Sequence, residues 1–356
     1  MITLIEQLLT KSVGWILVST FIIINPAFGE ESKKSIFDIM NHTEVLEMTL
    51  EADLTDLTTN RRTEEYQVGY VRFSDDEKME QAWKIKVRPR GKYRRRVCEM
   101  PPLKLKFKKD ELAVAGLSKF NDLKLVTHCS ENKLESKNWL MKEYLAYKLY
   151  NELTDNSFRV QMVRITYVDI PTGKKTKNWG FLIEDKDQLA DRMNAEQCDC
   201  NGMDLSKLDT DAEELMTVFQ YMIGNEDWDL TMVRNLKMFE KDGKIIPVPY
   251  DFDFAGIVNA RYAIPNVNYG MTNMVDRAYF GTSQAYEDLE ETMEYFDAKR
   301  KALITIVKSF REINFEERAT IVSYLQSFYK HPENMLKVER SYQKANNSDA
   351  AIKTAK

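Results

Sequence analysis

From about residue 45 to 128 the chain runs in short stretches of alternating apolar and polar side chains. Tyr66 to Phe73, Trp83 to Val87 and Pro102 to Phe107 carry this period of two, the mark of half-buried strands. In the last stretch Leu103, Leu105 and Phe107 share one face, so Lys104 and Lys106 share the other. The period lengthens over 136–153, where Leu140, Met141, Tyr144, Leu145 and Leu149 predict one face of a helix. Residues 158–170 and 178–184 return to strand, with Asn178-Trp179-Gly180 read as a hairpin exit. Asp211 to Ile223 predicts a helix with acidic residues in its first turn, as the helix dipole favours. Lys244 to Val248 is a short strand after the turn Lys241-Asp242-Gly243. Residues 254–281 form a long loop rich in Asn, Tyr and Gly, and 285–342 are helical throughout. No internal repeat is evident. Segregated strands and helices predict an α+β fold, with a boundary near 180–190.

The first residues read differently. Val13 to Ile24 is an uncharged apolar run of twelve, preceded by Lys11, broken by Asn25-Pro26 and followed by Ala27-Phe28-Gly29. As a helix it would span about 18 Å, short of a ~30 Å hydrocarbon core. It predicts a signal peptide over 1–29, cleaved after Gly29, and an exported protein, periplasmic or extracellular, with no stable membrane insertion. The remaining plan is a strand-rich part at 30–185, a helix-rich part at 186–342 and a polar tail at 343–356. Export makes the even set Cys98, Cys129, Cys198 and Cys200 a disulfide framework. Cys98 with Cys129 is the favoured pair, since both flank one strand-rich region. Cys198-Asp199-Cys200 is spaced too closely for an easy mutual bond.

Composition narrows the chemistry. The chain is 43% hydrophobic and 30% charged, with a net charge of −5. This excludes a disordered or multi-pass membrane chain, and gives no basic coat for nucleic acid. Three histidines, His42, His128 and His331, offer no His-rich zinc site.

Against the acidic background stands a basic island. Between Lys84 and Lys109, twelve of 26 residues are Lys or Arg and only Glu99 is acidic. It is an anion site or a solvated rim. Glu143 lies near the apolar face of its helix, where a carboxylate takes a cationic partner. Ile223-Gly224-Asn225-Glu226-Asp227-Trp228-Asp229, with Asn235 downstream, follows a hydrophobic helix. In Pro249-Tyr250-Asp251-Phe252-Asp253-Phe254-Ala255-Gly256 two aspartates alternate with aromatics. Carboxylates so placed suit a hard divalent cation shared with phosphates.

Basic strand, helix with Glu, strand pair, loop Asp, downstream Asn and a strand ending in Asp follow the order of a protein kinase. G-x-G-x-x-G, H-R-D and D-F-G are absent. The segments Arg90-Gly91, PPLKLKF, WLMKEYLAYKLYNEL, GFLIED, IGNEDWDLTMVRN and IPVPYDFDFAG, spanning roughly 88–256, resemble the CotH kinase family. The resemblance implies an atypical protein-kinase-like two-lobed α+β fold, with a strand-rich N-lobe and a helix-rich C-lobe. It implies transfer of the ATP γ-phosphate, with Mg²⁺ or Mn²⁺, to Ser or Thr of exported proteins. Arg90 and Gly91 would lie in the phosphate-covering loop. Lys106 or Lys104 would neutralise the phosphates and pair with Glu143. Phe181, Leu182 and Glu184 would form the hinge beside adenine. Asp227, with Asp229 as competitor, would orient the acceptor hydroxyl. Asn235, Asp251 and Asp253 would hold the metal. The chain departs from the family in reading Arg90-Gly91-Lys92-Tyr93 where the family has Arg-Gly-Asn-Ser. The step from Asp227 to Asn235 is eight residues, against about five in the familiar catalytic loop. Two other readings stand beside the kinase. One is a catalytically inactive binding module for envelope assembly. The other is a metal-dependent glycosyltransferase using Asp251-Phe252-Asp253.

Overall fold

In the computed structural model, residues 33–41, 45–130, 132–267, 270–283, 286–330 and 335 are described. The proposed signal peptide, the tail at 343–356, His42 and His331 lie outside them. Helix α1 (Ile36–Met40) is capped by Ser35 in a reciprocal capping box with Asp38. Then follow β1 (Leu46–Ala52), α2 (Leu54–Thr59), β2 (Gln67–Ser74), β3 (Glu80–Pro89), α3 (Arg94–Val97), β4 (Leu103–Phe107), α4 (Lys109–Val114) and β5 (Asp122–Thr127). Helix α5 (Lys133–Leu153) leads to the hairpin of β6 (Val160–Asp169) and β7 (Lys175–Ile183). After α6 (Lys186–Met193) come β8 (Glu196–Cys198), α7 (Thr210–Ile223), β9 (Leu236–Lys241), β10 (Lys244–Pro249), α8 (Glu290–Ser309) and α9 (Phe315–Phe328).

The expected two-lobed kinase-like fold is overturned here. The first seven strands close into a barrel in the order β1-β2-β3-β4-β5-β7-β6. Closure comes from a parallel pairing of β1 with β6, from Leu46 opposite Val163 to Ala52 opposite Asp169. An open strand layer would leave two edges of unpaired backbone, and the parallel seam removes both. The helical part is not purely helical either, since β8, β9 and β10 form their own antiparallel sheet.

Alternation along the strands builds two cores. Leu50, Val71, Val87, Leu105, Leu125, Ile165 and Leu182, one from each barrel strand, point inward and are fully buried. On β6 and β7 the other face is apolar as well. Met162, Phe181 and Ile183 turn outward to pack with Leu145 and Leu149 of α5 and Phe219 of α7. Burial on both faces explains the continuous run Phe181-Leu182-Ile183. Gly180 opens that run because a Cβ there would meet Val126 O at 2.9 Å. Asn178-Trp179-Gly180 is therefore mid-strand. The β6–β7 turn lies at 170–174, closed by Gly173 N–H to Asp169 O at 2.7 Å.

Cys98 and Cys129 are joined as expected. The bond ties the end of α3 to the chain entering α5. Cys198 and Cys200 are joined too, against expectation. The strand β8 ends at Cys198, and the chain bends at Asp199, bringing the Cα atoms to 5.2 Å from the ~6.6 Å of extended backbone, inside the usual disulfide range of about 4.4–6.8 Å. The paired cysteines suit an exported protein. No helix among the described residues is long and apolar enough to cross a membrane.

Candidate functional site

The site is assembled by three local devices. Helix α7 ends at Gly224, whose positive φ of 67° turns the chain, with Asn225 N–H reaching Gln220 O at 2.9 Å. This turn presents Asn225 to Asp227 at the end of the helix. Asp242 and Gly243 both have positive φ, 52° and 76°, as a tight hairpin turn demands. The resulting register sets Leu236 opposite Pro249 and Tyr250 N–H on Asn235 O at 3.1 Å. Asn235 and Asp251 thus flank the open end of one hairpin. Both are non-glycine residues at positive φ, 52° and 67°, as is the β-branched Val233 at 49°. Such backbone is costly and gathers at functional sites. The third device is the Cys98–Cys129 bond, which holds α3 beside the start of α5.

Arg94 on α3 is 6% exposed and sits among three carboxylates. Its Nη1 and Nη2 donate to Glu143 Oε2 and Oε1 at 2.7 and 3.0 Å, a bidentate pairing. Nη2 also donates to Asp251 Oδ1, and Nε lies 3.2 Å from Asp253 Oδ2. Asp253 accepts from Tyr262 Oη at 3.1 Å. Tyr147 Oη accepts from Asp251 N–H at 2.8 Å. Glu143 and Asp253 are almost fully buried. Burial pushes the carboxyl pKa of Asp253 well above the usual range, Arg94 opposing and Asp251 assisting. Burial raises Glu143 likewise. At Asp251 burial acts in the same direction, but Arg94 and Arg90 together outweigh it and hold the group below its ordinary value. One oxygen from each of the three carboxylates lies within 4.8 Å of the others. Three carboxylates this close are the kind of oxygen set a hard divalent cation takes, but here the Arg94 guanidinium engages all three.

Asp227 faces this cluster across a cleft of about 490 Å³. Its Oδ2 and backbone carbonyl accept from Asn235 Nδ2 at 2.9 and 2.6 Å. Arg234 Nε lies 3.4 Å from its Oδ1. Burial raises the pKa of Asp227, Arg234 opposing. Asp229, the competitor, spends its carboxylate on Met232 N–H at 2.6 Å and does not line the cleft.

Of the residues singled out in the sequence, Arg90, Gly91, Asp227, Asn235, Asp251 and Asp253 line this one cleft. Glu143 lies behind it through Arg94. The lysine partner expected for Glu143 is corrected to Arg94. Lys104 instead pairs with Asp122 of the neighbouring strand β5 at 2.6 Å, which neutralises it, and Lys106 is exposed to solvent. Lys124, opposite Lys104 in register, is set behind Tyr250 rather than in the cleft lining. Its Nζ lies 4.6 Å from the Tyr250 ring centroid and 5.1 Å from that of Phe158. Burial, then Arg90 and Lys237, lower its pKa to about 7.

The expected hinge does not border the cleft. Strand β7 pairs with β5 on one side and β6 on the other through Ile183, so its backbone has no edge to offer a base. Phe181 packs against Tyr144 and Tyr147, Leu182 fills the barrel, and Glu184 is fully buried on Arg159 and Arg192. Arg94, Lys124 and Tyr262 were missed as individuals. The signal for Arg94 was the demand of Glu143 for a cation next to a run of three arginines. No protein-family model matches this chain, and no curated protein matches it either.

Proposed function

We propose that the cleft binds ATP with Mg²⁺ or Mn²⁺ and transfers the γ-phosphate to a Ser or Thr hydroxyl of an exported protein, as the resemblance to CotH kinases implies. The observation that carries this reading is the convergence of Asp227–Asn235 and Asp251–Asp253 on one cleft whose barrel side is basic. Asp251 and Asp253, with Asn235 Oδ1, would hold the cation. Arg90, which lines the cleft, would neutralise phosphate oxygens. The metal, when bound, supplies charge neutralisation on the transferring group. Asp227 accepts the proton as the acceptor oxygen bonds to the γ-phosphorus. The bond from that phosphorus to the bridging oxygen breaks, and ADP leaves. A carboxylate with a raised pKa suits that task. The disulfides and the apolar run ahead of Asn25 support an exported setting, with a cleaved signal peptide as its finer form.

A second reading is favoured by one contact. Arg94 already engages Asp251 and Asp253, the positions a metal would need, as in an inactive module that binds a partner without turnover. Labelled ATP with Mg²⁺ or Mn²⁺, offered to the protein with and without casein, decides between them. Incorporation by the parent that drops at least about a hundredfold in Asp227→Asn and in Asp251→Asn is expected. No incorporation, with a metal-dependent ATP shift in melting temperature, would favour the inactive module. Neither signal would end the nucleotide reading.

A further inference from the structure

Away from the cleft, the start of α5 and the β6–β7 pair enclose a cavity of about 280 Å³, lined by Lys133, Leu134, Lys137, Arg164, Lys177 and Trp179 among others. Four cations from three elements gather round one indole. Arg164 lies 4.5 Å and Lys137 Nζ 5.1 Å from its ring centroid, while Lys133 and Lys177 are exposed. Arg164 has a distant partner in Glu47 at 3.4 Å, itself 60% exposed. Among the described residues no carboxylate is at ion-pair distance from Lys133, Lys137 or Lys177. Glu135, the acid of the same helical turn, is drawn off to Arg261 at 2.5 Å. In a chain of net charge −5, four like charges in one place repel one another and set up a local positive field that draws anions. Leu134, 67% exposed, adds an apolar contact at the rim.

We infer that this patch docks an acidic, Asp/Glu-rich segment of a protein partner, and, resting on the kinase reading above, that the partner is the protein phosphorylated. Charge complementarity selects the ligand: carboxylates for Lys133, Lys137 and Lys177, and an apolar side chain for Leu134 and the edge of Trp179. Position supports the link to the cleft. Lys137 precedes Glu143 by six residues, a rise of about 9 Å along the helix. Trp139 packs on Tyr262 at 5.5 Å between ring centroids, and Tyr262 bonds Asp253.

The test uses the full chain and a short fluorescein-labelled Asp/Glu-rich peptide read by anisotropy. The double variant Lys137→Glu/Lys177→Glu should weaken binding at least about tenfold. Lys84→Glu/Lys86→Glu, the same charge change on the exposed face of β3, should leave it within about twofold. Lys133→Ala/Lys177→Ala, two exposed truncations, should weaken it in the same direction and guards against misfolding of the first variant. Equal loss in the β3 control, no loss in either patch variant, or capture of heparin but not of the peptide would overturn the inference. Asp251→Asn should bind the peptide unchanged. In the labelled-ATP assay, an acceptor bearing the acidic segment should show a raised KM and an unchanged kcat in the patch variant. Absence of any label, with peptide binding intact, would sink the kinase reading and leave the docking surface standing.

Discussion

Two ionic clusters are built on buried groups, Glu184 in one and Arg94 in the other, and they are balanced differently. At Glu184 two guanidinium groups and a backbone N–H converge on one carboxylate. Arg159 N, Nε and Nη2 reach it at 3.0, 2.9 and 2.7 Å, and Arg192 Nε and Nη2 at 3.3 and 3.1 Å. Arg159 Nη2 also reaches Asp38 Oδ1 of α1 at 3.0 Å, so two guanidinium groups face two carboxylates, and the balanced cluster stitches α1, β6, β7 and α6 together. At Arg94 the charges do not balance, one guanidinium serving Glu143, Asp251 and Asp253. A buried excess of negative charge is expensive unless protons or a cation offset it. The first cluster is complete in itself, a structural brace. The second is left wanting positive charge beside a cleft, which is what distinguishes a binding site from a brace.

The sharpest way to break the comparison is to remove the arginines. Arg94→Met strands three carboxylates and should cost about 3–5 kcal/mol in chemical denaturation. Arg159→Met leaves Arg192 in place and should cost about 1–3 kcal/mol. Equal losses would mean that the two clusters are alike. Next in size is the disulfide that holds α3 against α5. Cys98→Ser/Cys129→Ser opens a loop with a separation of 31 residues and should cost about 3–4 kcal/mol. Cys198→Ser/Cys200→Ser, with a separation of 2, should cost about 1–2 kcal/mol. Non-reducing denaturation curves of the pair check this ranking.

The smallest effect is on pH dependence. Asp253 and Glu143 have folded pKa values raised by burial, so the folded chain holds protons that the unfolded chain releases above about pH 4. Their contribution to stability is fully present below that pH and falls as pH climbs through the folded values. Asp251, held low against burial by Arg94 and Arg90, acts oppositely and loses its contribution as pH falls through its folded value. Lys124 is lowered to about 7 from 10.5, first by burial. Its folded form binds fewer protons, so stability rises with pH between those two values. Denaturation midpoints of Asp253→Asn should show a flatter fall above about pH 4 than the parent. Lys124→Met should flatten the rise above about pH 7. Unchanged slopes would remove these groups from the balance.

Much of this was legible along the chain. The alternation in 103–107 put Lys104 and Lys106 outside, and they are outside. The order Asp227, Asn235, Asp251, Asp253 pointed to residues that do share a cleft, because a hairpin with a tight turn between β9 and β10 is a local event. Arg94 was not separable from Arg95 and Arg96 on sequence alone. One short helical turn sends Arg94 inward to Glu143 and Arg95 outward to Glu64. The hinge expectation failed because an apolar run reads the same whether its strand lies at an edge or between two partners.

Local periodicity, turn residues, the cysteine set and the excess of acid near 251 are properties of neighbours in the chain, and they were settled before folding. Barrel closure, the choice of Arg94 over a lysine and the gathering of four cations round Trp179 depend on contacts between distant segments. The β1–β6 seam joins residues more than a hundred positions apart. No period in the sequence encodes which strand meets which, since strand faces repeat every two residues whatever the partner. Folding chose the partners, and with them the charge balance that separates the site from its neighbouring brace.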